Sequence, residues 1–492
     1  MATNLDAARI EIQRAVEHAV GLAESGRRQR FWEFEGQLWT LLMTLGRALV
    51  ALHLLRQSQR PRAVEYTQAG LNFVLEGERT SALGTRFGKV DFTRPVGRRV
   101  AHRRAAVDLP LDRELGLCSG FSVGVVMAVT RLCAQMAFLP ARDTFRYFHE
   151  WTPSTRAVLR MVDSVGEQAR PFLEELPAPK GDGDLLVIEV DGGGAPMISP
   201  REHEMRCRPH VRHRRGTKRH CRRAKRKAAR RERRAKGDKS KNSKVAFVGI
   251  LYTLRKTPHG REGPLNKRVY ATFESHEALF IWLRREAIKR GYGLKPCLFL
   301  ADGSEHIWRL QAEYLPLADT CLDWYHVIEK VWAAGQCLFP EGSLALRAWV
   351  GRQKNLLRKG KLRAHIQELV VALRRISKTG PGNKGRRERL GAVINHFFHH
   401  RHRMHYRALR AKDLDIGSGA IEGAVRNLVR MRLDGPGMRW GRIRAERVLH
   451  LRCVLLNNLW AEFSAHVAAS SIKLRGAPLP AQPFEAKARK AA

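Results

Sequence analysis

Acidic residues are scarce in this sequence. The chain has 47 Asp and Glu against 90 Lys and Arg, which gives a net charge of +43 and a pI of about 11.0. A chain of globular length with such an imbalance is expected to bind a polyanion. Nucleic acid is the leading candidate and an anionic membrane surface the weaker one. Because 44% of its 492 residues are hydrophobic, the chain can build several cores and is not a disordered protein.

Paired cysteines are also lacking. The eight cysteines include no CxxC pair and lie mostly in apolar runs, so we expect buried thiols in a reducing compartment. One group crowds together, but its spacing matches no regular zinc finger and its surroundings are strongly basic: Cys207, His210, His213, His220 and Cys221. A structural zinc site there is the less favoured hypothesis.

The sequence has neither a secretory signal nor an uninterrupted apolar run of membrane-spanning length. The closest approach is Gln37–Leu55, which Arg47 and His53 interrupt. Flanking residues continue a helical period, so a buried or dimer-forming helix is preferred to a membrane span. Secretion is not expected, and the expected location is cytoplasmic.

The N-terminal part is predicted to be mostly helical. Apolar residues at helical spacing predict helices at Asn4–Glu24 and Arg27–Arg56, with a short helix at Glu65–Leu75. The broad apolar face of Arg27–Arg56 makes it a candidate dimer contact. Alternating apolar and basic residues over Thr85–Arg104 predict a two-stranded hairpin with one cationic face.

Three further helices are predicted between Phe121 and Glu175, the last of them beginning at Arg156 after a capped turn. They fit a helix-turn-helix in which Arg156 and Arg160 face DNA phosphates. They fit a plain helical bundle equally well, and the sequence does not separate the two.

The pattern changes to that of a mixed α/β sheet after the Pro/Gly-rich segment Leu176–Gly183. Buried strands are predicted at Leu185–Val190 and Pro296–Ala301, ending on Asp191 and Asp302. Other strands are predicted at Val245–Leu254, Arg268–Phe273 and Thr320–Trp324, and helices at Ser275–Arg290 and Ile307–Leu315.

Three other segments stand out by composition. Arg201–Lys244 is roughly half Lys and Arg and is predicted to be an insertion that is mobile or ordered by nucleic acid. Val327–Arg410 is predicted to be a basic all-α block. The tail beyond Ala469 is expected to be disordered.

Three carboxylates form a candidate metal site. Asp191 and Asp302 each end a predicted strand and precede glycine, and the carboxyl ends of neighbouring strands are where ligands collect. Their repulsion would be removed by a divalent cation such as Mg²⁺. Glu422, on a helix that opens at Gly417–Gly419, would complete a site for two metals about 4 Å apart. The structural alternatives are Asp-Gly turns and a capped amphipathic helix.

Asp323 and His326 form a second candidate group. The histidine could donate to a scissile phosphate or hold Asp302 in place, and the structural alternative is a helix start capped by Asp323. Trp324, Trp332 and Trp440 could stack on an unpaired base, although each is also a candidate core residue.

The second half of the chain resembles the ISKra group of insertion-sequence transposases, in the Mutator-like branch of DDE transposases. The motifs that carry the resemblance are EVDGG (Glu189–Gly193), LADG (Leu300–Gly303), LDWYH (Leu322–His326), GSGAIEG (Gly417–Gly423) and GMRW (Gly437–Trp440). The similarity covers roughly Leu185–Asn458. Relatives often carry cysteines in the hairpin region, and Phe87–Arg104 has none, which puts zinc-dependent recognition of DNA ends in doubt.

The resemblance implies an RNase H-like mixed-sheet core interrupted by an all-α insertion, behind a mostly helical N-terminal DNA-binding region. It places the acidic triad on Asp191, Asp302 and Glu422, and an acid-x-x-His motif on Asp323 and His326. The expected organisation is a helical region (1–80), a basic hairpin (81–115), a helical region with a candidate helix-turn-helix (116–178), the first part of the core (179–326, with the basic insertion 201–244), the all-α insertion (327–412), the final core helices (413–465) and a basic tail (466–492).

The expected function is that of a bacterial, nucleoid-associated DNA transposase. It would cut DNA at element ends and join the 3′-hydroxyl to target DNA with two Mg²⁺ or Mn²⁺ ions, working on double-stranded DNA as a homodimer or larger oligomer. The residues expected to contact DNA are Arg156, Arg160, Arg426, Arg430, Arg432, Arg439 and Trp440. The alternatives are a structure-specific RNase H-like nuclease, which cuts without joining, and a domesticated DNA-binding protein without enzymatic activity.

Overall fold

The computed structural model of the chain describes residues 5–199, 202 and 243–470. The Cys207–Cys221 group, nearly all of the basic insertion and the C-terminal tail lie outside these residues. The chain forms two compact units. The first contains the described residues up to Phe172 together with those from Asn458 onward, and the second contains Leu173–Asn457.

The first unit begins with the two predicted helices, α1 (Leu5–Glu24) and α2 (Phe31–Ser58). Few side chains of α2 are buried, Met43 and Leu54 among them, whereas Phe31 and Trp32 are largely exposed. Within the described residues, α2 is the one helix long and apolar enough to cross a membrane. That is weak evidence for a span, since helices of soluble proteins meet the same criteria.

A three-stranded antiparallel sheet follows, in the order β1 (Glu65–Gln68), β2 (Leu71–Thr85), β3 (Gly88–Arg99). The predicted helix at Glu65–Leu75 is therefore wrong. Ala69 and Gly70 both have positive φ and make a tight turn that no helix accommodates. The predicted hairpin exists but starts earlier than Thr85, because the long strand β2 forms its first arm.

The core of the first unit lies between this sheet and neighbouring helices. Alternate residues of β3 point inward, and the buried cluster comprises Leu54, Leu83, Val90, Phe92 and Leu111. The remaining helices of this unit are α3 (Pro110–Glu114), α4 (Val123–Gln135), α5 (Phe138–His149), α6 (Thr155–Glu175) and the C-terminal α17 (Trp460–Ala469). The three helices predicted between Phe121 and Glu175 are thus confirmed, and their use as a helix-turn-helix stays a prediction.

A mixed five-stranded sheet organises the second unit. Its strands, in sheet order, are β6 (Gly260–Thr272), β5 (Ser243–Thr257), β4 (Leu185–Pro196), β7 (Cys297–Ala301) and β8 (Asp319–Leu322). The pairs β4–β5 and β5–β6 are antiparallel, whereas β4–β7 and β7–β8 are parallel. The mixed α/β class predicted from the sequence is confirmed.

The sequence predicted that β4 would end on Asp191, but the strand continues beyond it. Its parallel pairing with β7 stops at Val190, but its antiparallel pairing with β5 runs on to Pro196. The glycines after Asp191 are therefore strand residues. A Cβ on Gly193 would lie 2.9 Å from Cγ1 of Val425, so the missing side chain lets a helix approach the strand closely.

Helices cover this sheet on both faces. Helix α7 (His276–Lys289) is capped by Ser275, whose Oγ accepts from Ala278 N, and packs Leu279 and Leu283 against Gly249 of β5. The opposite face of β4 meets α14 (Gly419–Val425), which continues through a π-helical turn at Arg426–Arg430 into the short α15 (Met431–Leu433). The other helices are α8 (Glu305–Tyr314) and α16 (Arg442–Leu456).

The predicted all-α block lies between β8 and α14. Its helices are α9 (Trp324–Gln336), α10 (Leu344–Arg358), α11 (Leu362–Arg375), α12 (Asn383–His400) and α13 (Tyr406–Arg410). The block leaves the sheet at Asp323 and returns at Ile416, where Trp324 N donates to Ile416 O at 2.9 Å. Its two ends are therefore hydrogen-bonded to each other.

Candidate active site

Three aspartates lie directly after the last paired residues of the parallel β4–β7–β8 ladder. Val190 of β4 pairs with Ala301 of β7, and Ala301 pairs with Leu322 of β8. The next residues along the three strands are Asp191, Asp302 and Asp323. Because in-register residues of adjacent strands share a face of the sheet, the strand pairing alone brings these carboxylates to one edge.

Asp191 and Asp302 influence each other electrostatically. Burial raises the pKa of the Asp191 carboxyl above its ordinary value, and the charge of Asp302 raises it further. The N–H of Gly192, which donates to Asp191 Oδ1 at 2.7 Å, opposes this effect. Asp302 Oδ1 accepts from Ser304 N at 2.9 Å. Two adjacent carboxylates of which one resists ionisation form a site that favours a cation.

Asp323 is fully buried, and both of its carboxylate oxygens accept hydrogen bonds. Its Oδ2 accepts from the backbone N (2.9 Å) and ring Nδ1 (2.6 Å) of His326, and its Oδ1 accepts from Ser418 N (2.7 Å). Burial opposes ionisation, but these hydrogen bonds outweigh it and hold the pKa of Asp323 below its ordinary value. Asp323 therefore caps α9 and orients the His326 ring at the same time.

His326 is a cation at neutral pH. Its hydrogen bond to Asp323 raises the pKa of the imidazole to about 9, and the charges of Asp191 and Asp302 act in the same direction. The second ring nitrogen, Nε2, has no hydrogen-bond partner among the described residues. The edge of the sheet therefore presents an oriented N–H donor with a positive charge beside two carboxylates.

Glu422 lies in the first turn of α14, as predicted, and its side chain is exposed. Helix α14 is anchored to β4, because the N–H of Ile421 donates to Glu189 Oε2 at 3.0 Å. Arg430, two helical turns beyond Glu422, is close enough to Asp191 to lower the pKa of that carboxyl. The segment that follows Glu422 thus brings an exposed arginine near Asp191.

Glu189 is a site residue that the sequence interpretation missed. Its side chain is 1% exposed and lies on the same face of β4 as Asp191. Burial raises its pKa to about 7, although Tyr252 OH donates to its Oε1 at 2.9 Å. An acid inside the apolar run LLVIEV was the available signal, since an uncompensated charge is not tolerated in a strand buried on both faces.

His396 of the all-α block is a second missed residue. A Cβ on Gly303 would lie 2.3 Å from His396 Cε1, so the imidazole ring occupies the space that glycine leaves directly after Asp302. Burial lowers the pKa of His396 to about 4, which keeps the ring neutral. Gly303 is therefore needed to seat α12 against the sheet edge.

The donor set partly fits a divalent metal ion. Asp191 and Asp302 supply the hard oxygen ligands that Mg²⁺ and Mn²⁺ prefer. Within the part of the chain that the structure describes, however, no group of three or more His, Cys, Asp or Glu side chains is close enough together to hold a metal ion. The exposed Glu422 is accordingly not gathered with the two aspartates in this conformation.

The residues expected to contact DNA divide into two groups. Arg426 and Arg430 are exposed beside Glu422, and Arg439 is exposed while paired with Glu202 at 3.0 Å. Arg432 and Trp440 are instead buried against each other, with the guanidinium 4.8 Å from the ring centroid. Because both side chains are buried, neither is available to DNA in this conformation. Of the helix-turn-helix candidates, Arg156 is exposed and Arg160 partly buried.

The tryptophans expected to stack on a base are not well exposed. Trp324 is 8% exposed and packs edge-on against Tyr406, and Trp332 is half-buried. Tyr325, the next residue after Trp324, is 50% exposed. The accessible aromatic ring beside the DxxH motif is therefore a tyrosine.

No protein-family model matches the chain, and no curated protein matches it significantly.

Proposed function

We propose that the chain is a metal-dependent DNA transposase, which cuts DNA at the ends of a mobile element and joins the freed 3′-hydroxyl to target DNA. The observation that carries the proposal is the placement of Asp191 and Asp302 directly after the last paired residues of the parallel β4–β7 ladder, with the charge of His326 acting on Asp191. The net charge of +43 supports a nucleic-acid substrate.

The sheet topology supports an RNase H-like core. Strands β4, β5 and β6 form an antiparallel meander, and β4 is the central strand of the sheet. Strands β7 and β8 then extend the sheet on the other side of β4 and run parallel to it. Helix α7 precedes β7, and helix α8 lies between β7 and β8. We infer that the block from α9 to α13 is an insertion into this core, because its two ends meet at Trp324 and Ile416.

Asp191 and Asp302 would hold Mg²⁺ or Mn²⁺, with Glu422 as the third ligand once α14 or its side chain moves toward them. Bound divalent ions would activate the attacking oxygen and stabilise the leaving one. The imidazolium of His326 would donate to a phosphate oxygen, and the guanidinium groups of Arg426 and Arg430 would contact the DNA backbone.

Two in-line displacements at phosphorus complete the reaction. In the first, a water oxygen forms a P–O bond and the 3′ oxygen of the element end leaves, taking a proton. In the second, that 3′-hydroxyl oxygen attacks a target phosphate, loses its proton, and displaces the target 3′ oxygen. No protein nucleophile is required, since positioning and charge neutralisation provide the catalysis.

Cleavage and joining assays on Asp302→Asn and Asp191→Asn test the proposal. The substrate is duplex DNA that contains the sequences on either side of the coding region, and the buffer contains Mg²⁺. Each variant should lose cleavage and joining by at least about 10³-fold while keeping DNA affinity. Asp319→Asn is the matched control, because Asp319 is exposed at the opposite end of β8. Full cleavage by the Asp302 variant would overturn this assignment of the active site. DNA binding without any cleavage or joining by the wild-type protein would instead indicate a non-enzymatic DNA-binding protein.

A pre-cut end separates transposase from nuclease. The wild-type protein should join a recessed 3′-hydroxyl to a second duplex, and EDTA should stop the reaction. Cleavage without joined product under the same conditions would indicate a structure-specific nuclease instead.

A further inference from the structure

A cavity of about 530 Å³ lies behind the Gly417–Ala420 turn, on the side of β4 that carries Glu189. We call it the Tyr325 cavity. It is lined by Glu189, Tyr252, Tyr325, Arg358, Arg410 and Asp415, with backbone from the turn itself. A cavity of this volume is large enough for one nucleotide.

Three of the charged side chains at the cavity are held by no ion pair among the described residues. Arg358, Arg410 and Asp415 are all exposed, and none forms an ion pair with another described residue. Arg358 lies over the ring of Trp324, with its guanidinium 5.3 Å from the centroid. Two guanidinium groups and one carboxylate that form no ion pair, lining one cavity, suit a ligand that has both an anionic group and polar N–H groups.

The ring of Tyr325 is both accessible and fixed in place. It is 50% exposed, yet a Cβ on Gly417 would lie 2.6 Å from its Cε2 atom, so the ring packs directly on the turn. A fixed, half-exposed aromatic ring provides a stacking surface with little entropy left to lose.

We propose that the Tyr325 cavity binds one unpaired nucleotide of a DNA strand. The base stacks on Tyr325, its phosphate contacts Arg358 and Arg410, and Asp415 accepts from the exocyclic amino group of the base. Adenine, cytosine and guanine carry that amino group and thymine does not. The assignment of the nucleotide to DNA rests on the proposed function.

Binding to DNA without metal tests the proposal separately from catalysis. Fluorescence anisotropy in EDTA compares a blunt duplex with the same duplex carrying one unpaired 3′ nucleotide, A, C, G or T. The wild-type protein should prefer the overhang on the order of 10-fold, with T the weakest. Tyr325→Ala should abolish the preference, Tyr325→Phe should keep it, and Asp415→Asn should remove the disadvantage of T.

Charge-matched variants separate the cavity from general electrostatic attraction. Arg410→Glu should remove the preference for the overhang. Arg363 is an exposed arginine of α11 outside the cavity, and Arg363→Glu should weaken the binding of blunt and overhang DNA equally. An unchanged preference in Tyr325→Ala, or equal effects of the two charge reversals, overturns the proposal. Competition by free dCMP as effective as by overhang DNA would make the ligand a free nucleotide and overturn its assignment to DNA.

The two proposals fail in different experiments. If the wild-type protein shows no preference for the overhang, the cavity proposal fails while the cleavage assay still tests the transposase proposal. If the Asp302 variant cleaves fully, the proposed active site fails while the overhang assay still tests the cavity.

Discussion

The backbone N–H of Ser418 donates a 2.7 Å hydrogen bond to the buried carboxylate of Asp323, which lies 95 residues earlier in the chain. This bond connects the end of β8 to the turn that precedes Glu422. The same carboxylate orients His326. One side chain thus fixes the relative positions of two segments that the proposed reaction needs together.

Asp323→Ala should destabilise the second unit by about 2–4 kcal/mol, because Ser418 and His326 lose a buried, charged acceptor. Urea unfolding with a probe in the second unit measures the change. As a control, replacing the exposed Asp319 at the start of β8 by alanine should leave the stability within about 0.5 kcal/mol of wild type. Equal effects of the two substitutions would mean that the network around Asp323 contributes nothing.

The Asp323–His326 pair should make stability depend on alkaline pH. Because the folded-state pKa of His326 is raised to about 9, its stabilising effect is complete below the unfolded value of about 6.5 and is lost as pH rises through about 9. The loss should be on the order of 1 kcal/mol, allowing for solvent screening of the partly exposed ring. His326→Gln should lack this slope between pH 6.5 and 9, and NMR titration of the His326 ring measures the pKa directly.

Glu189 should give a change of the same sign at lower pH. Its folded-state pKa of about 7 lies above the unfolded value of about 4.5, so stability is complete below pH 4.5 and falls as pH rises through 7. The fall should be on the order of 3 kcal/mol. Glu189→Gln stays neutral and should flatten this part of the stability profile. A wild-type profile already flat from pH 4.5 to 7 would contradict the raised pKa.

Gly193→Ala should destabilise the protein by about 1–3 kcal/mol and should also lower any cleavage activity relative to the wild-type protein. Its Cβ would lie 2.9 Å from Cγ1 of Val425 and 3.1 Å from Val429, so the helix carrying Glu422 has to shift. Gly423→Ala is the control, because nothing lies within 4 Å of a Cβ there and alanine favours a helix by up to about 1 kcal/mol. Thermal unfolding and a cleavage assay on both variants measure the two effects.

The exposed and buried arginines of the α14–α15 region should behave differently. Arg426→Ala and Arg430→Ala should each weaken DNA binding and reduce the slope of log affinity against log salt by about 1. Arg432→Ala should instead lower stability, since the side chain is 1% exposed and packs on Trp440. A reduced salt slope in the Arg432 variant at unchanged stability would show that this arginine contacts DNA.

Some of the site follows from the sequence for a simple reason. A buried strand is recognisable as an apolar run, and the carboxyl ends of adjacent parallel strands coincide, so Asp191 and Asp302 could be placed together without coordinates. The end of β4 could not be predicted, because three glycines are locally a turn signal. Their actual use, a close approach of Val425 to Gly193, depends on a helix more than 200 residues away in the chain.

Other misses also come from tertiary packing. Arg432 differs from Arg426 and Arg430 only in its burial, and a π-helical turn at Arg426–Arg430 changes the helical phase that a regular period would assume. His396 reaches Gly303 through the packing of α12 on the sheet, and no local pattern records that contact.

The all-α block starts and finishes at a single point, because Trp324 and Ile416 are joined by a 2.9 Å backbone hydrogen bond. Its length is therefore uncoupled from the geometry of the sheet. Helices can be added to or removed from its outer part without separating the strand that precedes it from the helix that follows. This hydrogen-bonded junction would let homologous chains carry helical blocks of very different size at the same edge of the sheet.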